Sequence, residues 1–119
     1  MNQKSNEISQ TDGKLDARAL EKVAETFRIL SEPGRLSLLQ ELKSAEMTVG
    51  ELVEATQQGQ ASVSKHLKLM HSAQLLTRRK EGVKVYYSVK DETVFALCKL
   101  VCGKLAAEQQ QQESIDFSL

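Results

Sequence analysis

The sequence predicts a mainly α fold of the α+β class, with five helices and a two-stranded β-hairpin in one domain, and three stretches predict it. In residues 60–70 (QASVSKHLKLM), Val63, Leu67 and Met70 recur at i, i+4 and i+7. One apolar stripe therefore runs along a short helix, while Ala61, Lys65, Lys68 and Ser72 fall on the other face. Ahead of it, Val49, Leu52 and Val53 keep helical spacing, and the intervening TQQGQ is too polar and glycine-containing to continue that helix, so a turn joins two short helices. Behind it, residues 75–80 and 83–89 have the pattern of two strands around Lys80-Glu81-Gly82-Val83, where Gly82 can supply the positive φ of a tight hairpin. Helix, turn, helix and hairpin in this order make a winged helix-turn-helix.

Residues 1–14 have no periodicity and are expected to form a disordered tail. From Asp16, a suitable N-cap, the positions Leu20, Val23, Ala24, Phe27 and Leu30 define a first amphipathic helix. Ser31-Glu32-Pro33 ends it, because Pro33 lacks a backbone donor and restricts Glu32, yet proline suits the first turn of a new helix. That second helix is expected over residues 33–43. Leu36, Leu38, Leu39 and Leu42 make it apolar round more than one side, the pattern of a helix packed between others. Thr48 with Glu51 three residues on is a capping-box signature for the third helix. In the second hairpin strand, Val83, Val85 and Tyr87 alternate with Lys84, Tyr86 and Ser88, giving one apolar face and one free to meet a ligand. Asp91 can cap a long last helix whose Val94, Leu97, Cys98, Val101, Cys102 and Leu105 form a continuous apolar stripe. Such a stripe either seals a dimer or packs on its own domain, and pattern alone leaves both open. Residues 108–119 begin with a glutamine run and are expected to be a frayed polar tail, which places the folded domain at residues 15–107.

The chain is long enough for one core but not for two. It has no Trp and few aromatics, so the core is mostly aliphatic and favours helices. No apolar run approaches the roughly 18 residues of a membrane span, and the polar N-terminus lacks the apolar block of a signal peptide. These features imply a cytoplasmic protein with no membrane partner. Net charge is zero, but the charges are segregated: residues 60–90 hold seven Lys or Arg against Glu81 alone, +6, while residues 1–59 and 91–119 are −3 each. No nucleophile with base and orienting partner is visible, nor any glycine-rich phosphate loop, so neither enzyme chemistry nor a cofactor is expected.

A cationic helix face studded with small hydroxyl and amide side chains suits the major groove of double-stranded DNA, where Lys takes phosphates or guanine and Ser or Gln takes base edges. Gln60, Ser62, Ser64, Lys65 and Lys68 are the candidates on this face. His66 sits at the edge of the packed face, where it either bonds a phosphate or supports the helix. Arg78, Arg79, Lys80 and Lys84 of the hairpin are candidates for phosphates or the minor groove. An ordinary amphipathic surface helix has the same local pattern. Segregated positive charge favours an anionic partner over that reading and over a protein-interaction module of the same shape.

Four stretches, FRILSEPGRLSLLQEL (residues 27–42), TVGEL (48–52), QASVSKHLKLM (60–70) and EGVKVYYSV (81–89), resemble the ArsR/SmtB family of bacterial winged-helix repressors. The resemblance implies a homodimer whose first and last helices form the seam. It also implies reading helices in successive major grooves of an inverted-repeat operator, and release when an inducer binds or a thiol is modified. The chain departs from the family at Gly59, usually Ser, at Gln58, usually apolar, and at Ala61. Family metal positions are not kept. Thr48-Val49-Gly50 replaces a Cys-Val-Cys run, and Asp91 stands with Thr93, Lys104 and Ala107 where His, His and Glu would complete a zinc site, so no metal is expected.

Cys98 and Cys102 remain, as small buried core residues or as a thiol switch. A switch there implies an oxidant or reactive sulfur species as inducer, with arsenite as the alternative. Four apart on a helix, their Cβ atoms lie about 5 to 6 Å apart, beyond the roughly 3.5 to 4.5 Å of a disulfide. A bridge would therefore join two chains across a two-fold axis rather than close within one helix.

Overall fold

The computed structural model describes residues 13–110 and 114–119, so most of the expected N-terminal tail and part of the glutamine run lie outside the described residues. Five helices are present: α1 (Ala17–Ile29), α2 (Pro33–Leu42), α3 (Val49–Thr56), α4 (Gln60–Ser72) and α5 (Thr93–Glu108). Three strands accompany them: β1 (Met47–Thr48), β2 (Leu76–Glu81) and β3 (Lys84–Val89).

Local signals account for most boundaries. Asp16 accepts the Ala19 N–H at 2.8 Å to start α1. Pro33 opens α2 behind Glu32 in extended backbone. At α3 the Glu51 N–H donates to Thr48 Oγ1 at 3.1 Å and the Thr48 N–H to Glu51 Oε1 at 2.9 Å, the reciprocal pair of a capping box. Asp91 takes the N–H of Thr93 at 2.9 Å from one position ahead of the N-cap Glu92, and its bonds to Thr93 hold its carboxyl below the usual carboxylate range. In the turn before α4 the left-handed residue is Gln57, with φ 58°, whereas Gly59 has φ −67° and ψ 150°, a conformation open to any residue. Glycine's freedom is used instead at Gly82, with φ 63°.

The hairpin gains a third strand. β1 pairs antiparallel with β3 in the order β1-β3-β2, with Met47 opposite Tyr87 and Thr48 opposite Tyr86. Two residues of extended backbone carry no period, so the segment had the appearance of a simple link. Between β2 and β3 the register ends at Glu81 opposite Lys84, which leaves Gly82 and Val83 as a two-residue turn. Val83 is therefore at the wing tip and 97% exposed, not on the apolar strand face that alternation assigned it, because the turn takes it out of the pleat.

Val63, Leu67 and Met70 of α4 are fully buried against Leu38 of α2 and Leu52 of α3, with Leu76, Tyr87, Val94 and Phe95 closing the core. Two helices stand apart from it. Only Ile29 of α1 and only Val94 and Phe95 of α5 are buried. Leu20, Val23 and Phe27 of the α1 stripe are 55%, 42% and 52% exposed, and Leu100, Val101 and Leu105 of α5 are 74%, 47% and 40% exposed. The described residues leave these side chains largely uncovered.

Candidate nucleic-acid interface

Burial of Val63, Leu67 and Met70 fixes the rotation of α4 and so decides which side chains leave the domain. Gln60, Ala61, Ser62, Lys65, Lys68 and Ser72 are exposed and Ser64 is half-buried. Five of the expected contacts, Gln60, Ser62, Ser64, Lys65 and Lys68, are thus accessible on one element. No side chain caps the first turn of α4, whose free N–H groups carry the positive end of the helix dipole. At its far end His71 meets the Tyr87 ring edge-on at 6.4 Å, which ties the helix to β3.

His66 is half-buried and meets α2. Its Nδ1 lies 3.2 Å from Arg35 Nη1, and burial, followed by the Arg35 charge, pushes its pKa below the ordinary histidine value. The structure brings His66 to α2, not to the exposed face shared by the lysines.

β2 is exposed beyond Leu76, so the wing projects from the core. Directly opposed residues share a face of the sheet, which puts Arg78 with Tyr87 and Lys80 with Val85 on one side, and Arg79 with Tyr86 and Glu81 with Lys84 on the other. Arg79 is engaged within the chain. Its Nε and Nη2 donate to the two oxygens of Glu46 at 3.1 and 2.6 Å, its Nη1 donates to Glu81 at 2.5 Å, and its guanidinium lies 4.6 Å from the centre of the Tyr86 ring. The two carboxylates push the guanidinium's pKa up, and the bond from Arg79 holds the Glu46 carboxyl below its usual range. One cation against two carboxylates leaves this cluster without positive charge to offer. Arg78, Lys80 and Lys84 are exposed and have no hydrogen-bond or ion-pair partner among the described residues.

Cys98 and Cys102 are half-buried rather than sealed in the core. Together with Phe27, Leu30, Leu36, Leu97, Val101 and Leu105 they line an open apolar groove of about 550 Å³ between α1, α2 and α5. Phe117, from the segment after α5, also lines it. The side chain of Gln109 exchanges two hydrogen bonds with the backbone of Ile115, at 2.9 and 3.0 Å, and so turns this segment back toward α5. Burial pushes the Cys98 thiol up, and Cys102 adds to that.

Four participants stand outside the sequence pattern: Arg35, Gln58, whose Nε2 donates to the Gly34 carbonyl at 3.1 Å, Glu46 and Phe117. Arg35 left a trace, a cation in the first turn of a helix where its own dipole disfavours it. Glu46 left none, since its partner is thirty-three residues away.

Residues 32–78 match the profile of the bacterial regulatory protein family arsR. The transcriptional repressor SmtB homolog of Synechocystis sp. is 34% identical over 85 residues, 71% of this chain, and the chain spans 64% of that protein's length. The transcriptional repressor PagR of Bacillus anthracis is 31% identical over 91 residues, 76% of this chain and 91% of PagR. Among solved structures, the homodimeric winged helix-turn-helix DNA-binding domain of a possible ArsR-family regulator from Mycobacterium bovis aligns with a TM-score of 0.68 and 27% identity, covering 85% of this chain and 98% of that one. With the fold, the helix-turn-helix span and a relative matched over nearly its full length in agreement, the chain belongs to the ArsR family of bacterial winged helix-turn-helix transcriptional regulators.

Proposed function

We propose that the chain is a cytoplasmic transcriptional repressor that binds an inverted-repeat operator as a homodimer and leaves it when a signal reaches the thiols of α5. The observation that carries this reading is the rotation of α4: three fully buried residues on one side hold Lys65, Lys68, Ser62 and Gln60 outward on the other. In this reading Gln60, Ser62, Ser64 and Lys65 meet base edges, and Lys68, Arg78, Lys80 and Lys84 meet phosphates or the minor groove. Arg79 holds the wing, and His66 supports the helix from behind.

The uncovered stripes of α1 and α5 supply the seam, and the homodimeric state of the M. bovis domain supports it. A two-fold dimer sets its reading helices one helical turn of DNA apart, roughly 34 Å. The groove holding Cys98 and Cys102 lies on the two seam helices, so an oxidant or reactive sulfur species acting there, or arsenite bound there, would alter the spacing of the reading helices. The raised Cys98 thiol keeps its thiolate fraction low in this apolar groove.

A mobility-shift assay with DNA from upstream of the chain's own coding region tests partner and target together. Saturable binding of a palindromic site by a dimer is the expected result. Failure to prefer any site over bulk DNA at physiological salt removes the repressor reading and leaves the protein-interaction module.

A further inference from the structure

One polar cluster joins the seam side of the molecule to the back of α4. Arg35, in the first turn of α2, donates from Nε to the Ile29 carbonyl at 2.6 Å and from Nη2 to the Arg28 carbonyl at 3.4 Å. These are among the last carbonyls of α1, at the negative end of its dipole; the Arg28 carbonyl also accepts from the Ser31 N–H at 3.1 Å and from Ser31 Oγ at 2.7 Å. A cation in the first turn of α2 is poorly placed for that helix. It is well placed for α1. The remaining arm of the guanidinium, Nη1, lies 3.2 Å from His66 Nδ1 on α4.

Guanidinium can only donate, so Nδ1 must accept and the ring must be neutral, with its proton on Nε2. The Nε2 edge rests against Gly34. A Cβ at position 34 would stand 3.1 Å from Nε2 and 3.0 Å from the Gln58 side-chain oxygen, closer than side chains normally pack. Gln58, from the turn ahead of α4, donates from Nε2 to the Gly34 carbonyl at 3.1 Å. The turn and the reading helix are therefore both fastened to the first turn of α2, which Arg35 fastens in turn to the end of α1.

We propose that Arg35, His66 and Gln58 form the relay through which the α1 side of the seam sets the position of the reading helix, with Arg35 and His66 as positioning residues for operator binding. This rests on the assignment of α4 as the DNA-reading helix. The relay has a condition built into it. A protonated His66 would turn an N–H toward a guanidinium that also only donates, so the link holds only while the ring is neutral. The charged groups facing His66 are Arg35 and Glu32 from the α2 side and Lys65 on its own helix, and the turn contributes only the neutral Gln58. Burial and Arg35 favour the neutral ring, Lys65 does so more weakly, and Glu32 opposes them. Because the folded pKa is depressed, the contribution of the link is fully present above the ordinary value of 6.5 and is lost as pH falls through the lower folded value.

The experiment measures operator affinity by fluorescence anisotropy with the full chain between about pH 5 and pH 8. It compares wild type, Arg35→Lys, His66→Leu and His66→Asn, each checked for a cooperative thermal melt. Wild-type affinity is expected to drop about tenfold across the acid side of this range, the size of a lost hydrogen bond to a charged group. Arg35→Lys, whose ammonium cannot span both partners, and His66→Leu, which offers no acceptor, are expected to lose about tenfold already at neutral pH. His66→Asn places a neutral oxygen near the Nδ1 position, so it should recover part of what His66→Leu loses and show a flatter pH profile than wild type. His71 is present in all four proteins, so the difference between wild type and His66→Asn isolates the His66 ring.

If wild type binds its operator but Arg35→Lys and His66→Leu bind within about twofold of it at every pH, the relay is wrong and the DNA-reading assignment stands. If wild type shows no preference for an operator, both fall together. Should the Arg35 variant not fold, the pH profiles of wild type and His66→Asn decide alone, and identical profiles refute the proposal.

Discussion

Arg79 and Lys84 are neighbours on one face of the wing, and they should respond in opposite ways to the same substitution. Lys84 has no partner among the described residues, so on DNA its full charge is available to a phosphate. Each neutralised phosphate adds about 0.9 to the slope of log affinity against log salt. A dimer loses two such contacts in Lys84→Ala, which should flatten the slope by about 1.8. Between 50 and 200 mM salt the wild-type advantage should then shrink by about twelvefold. Arg79 is already matched by Glu46 and Glu81, so Arg79→Ala removes no counterion-releasing charge. Its slope should stay within about half a unit of wild type, while affinity falls at every salt concentration because the wing loses its tie to the residues before β1. Anisotropy titrations of both variants at four salt concentrations measure both slopes. Equal flattening by the two substitutions would refute the reasoning, since Arg79 must then leave its carboxylates on DNA, and an unchanged slope for Lys84→Ala would remove the wing from the phosphate contacts.

Three further outcomes are expected. Thr48→Ala opens the capping box of α3 and should cost about 1 kcal/mol, lowering Tm by roughly 4 to 8 °C, whereas an unchanged melt would mean that packing alone holds the start of α3. Phe27→Glu combined with Val101→Glu places charges on both uncovered stripes and should give a monomer by sedimentation at micromolar concentration, with operator affinity falling at least tenfold; a dimer of wild-type stability would move the seam elsewhere. Cys98→Ser with Cys102→Ser should bind the operator as wild type does when reduced, and should fail to release it with oxidant, reactive sulfur species or arsenite, so release equal to wild type would make the cysteines packing residues and put the effector site elsewhere.

Much of this molecule is written in short-range pattern. The stripe of Val63, Leu67 and Met70 predicts both α4 and its rotation, because a helix with three fully buried positions on one side has little freedom left. Pro33, the Thr48–Glu51 box and the Gly82 turn mark their boundaries through backbone chemistry confined to a few residues, and such chemistry survives in any fold. The segregation of charge toward α4 and the wing is equally a property of the chain.

What the folded structure decided lies between segments. β1 exists only because β3 offers it a ladder. The apolar stripe of α5 has two readings in the sequence, and the fold leaves its Val101 and Leu105 exposed among the described residues, since periodicity gives the direction of a face but not what stands in front of it. Arg79 and Lys84 are alike as residues and differ only because Glu46 reaches one of them across thirty-three residues. His66 lies at the edge of the packed face by its spacing, and only the fold sets Arg35 and Gly34 of another helix against it. Hydrogen bonds and ion pairs between distant segments leave no period in a sequence, because they depend on where whole elements come to rest, and that is fixed by burial of the core rather than by the residues that make the contact.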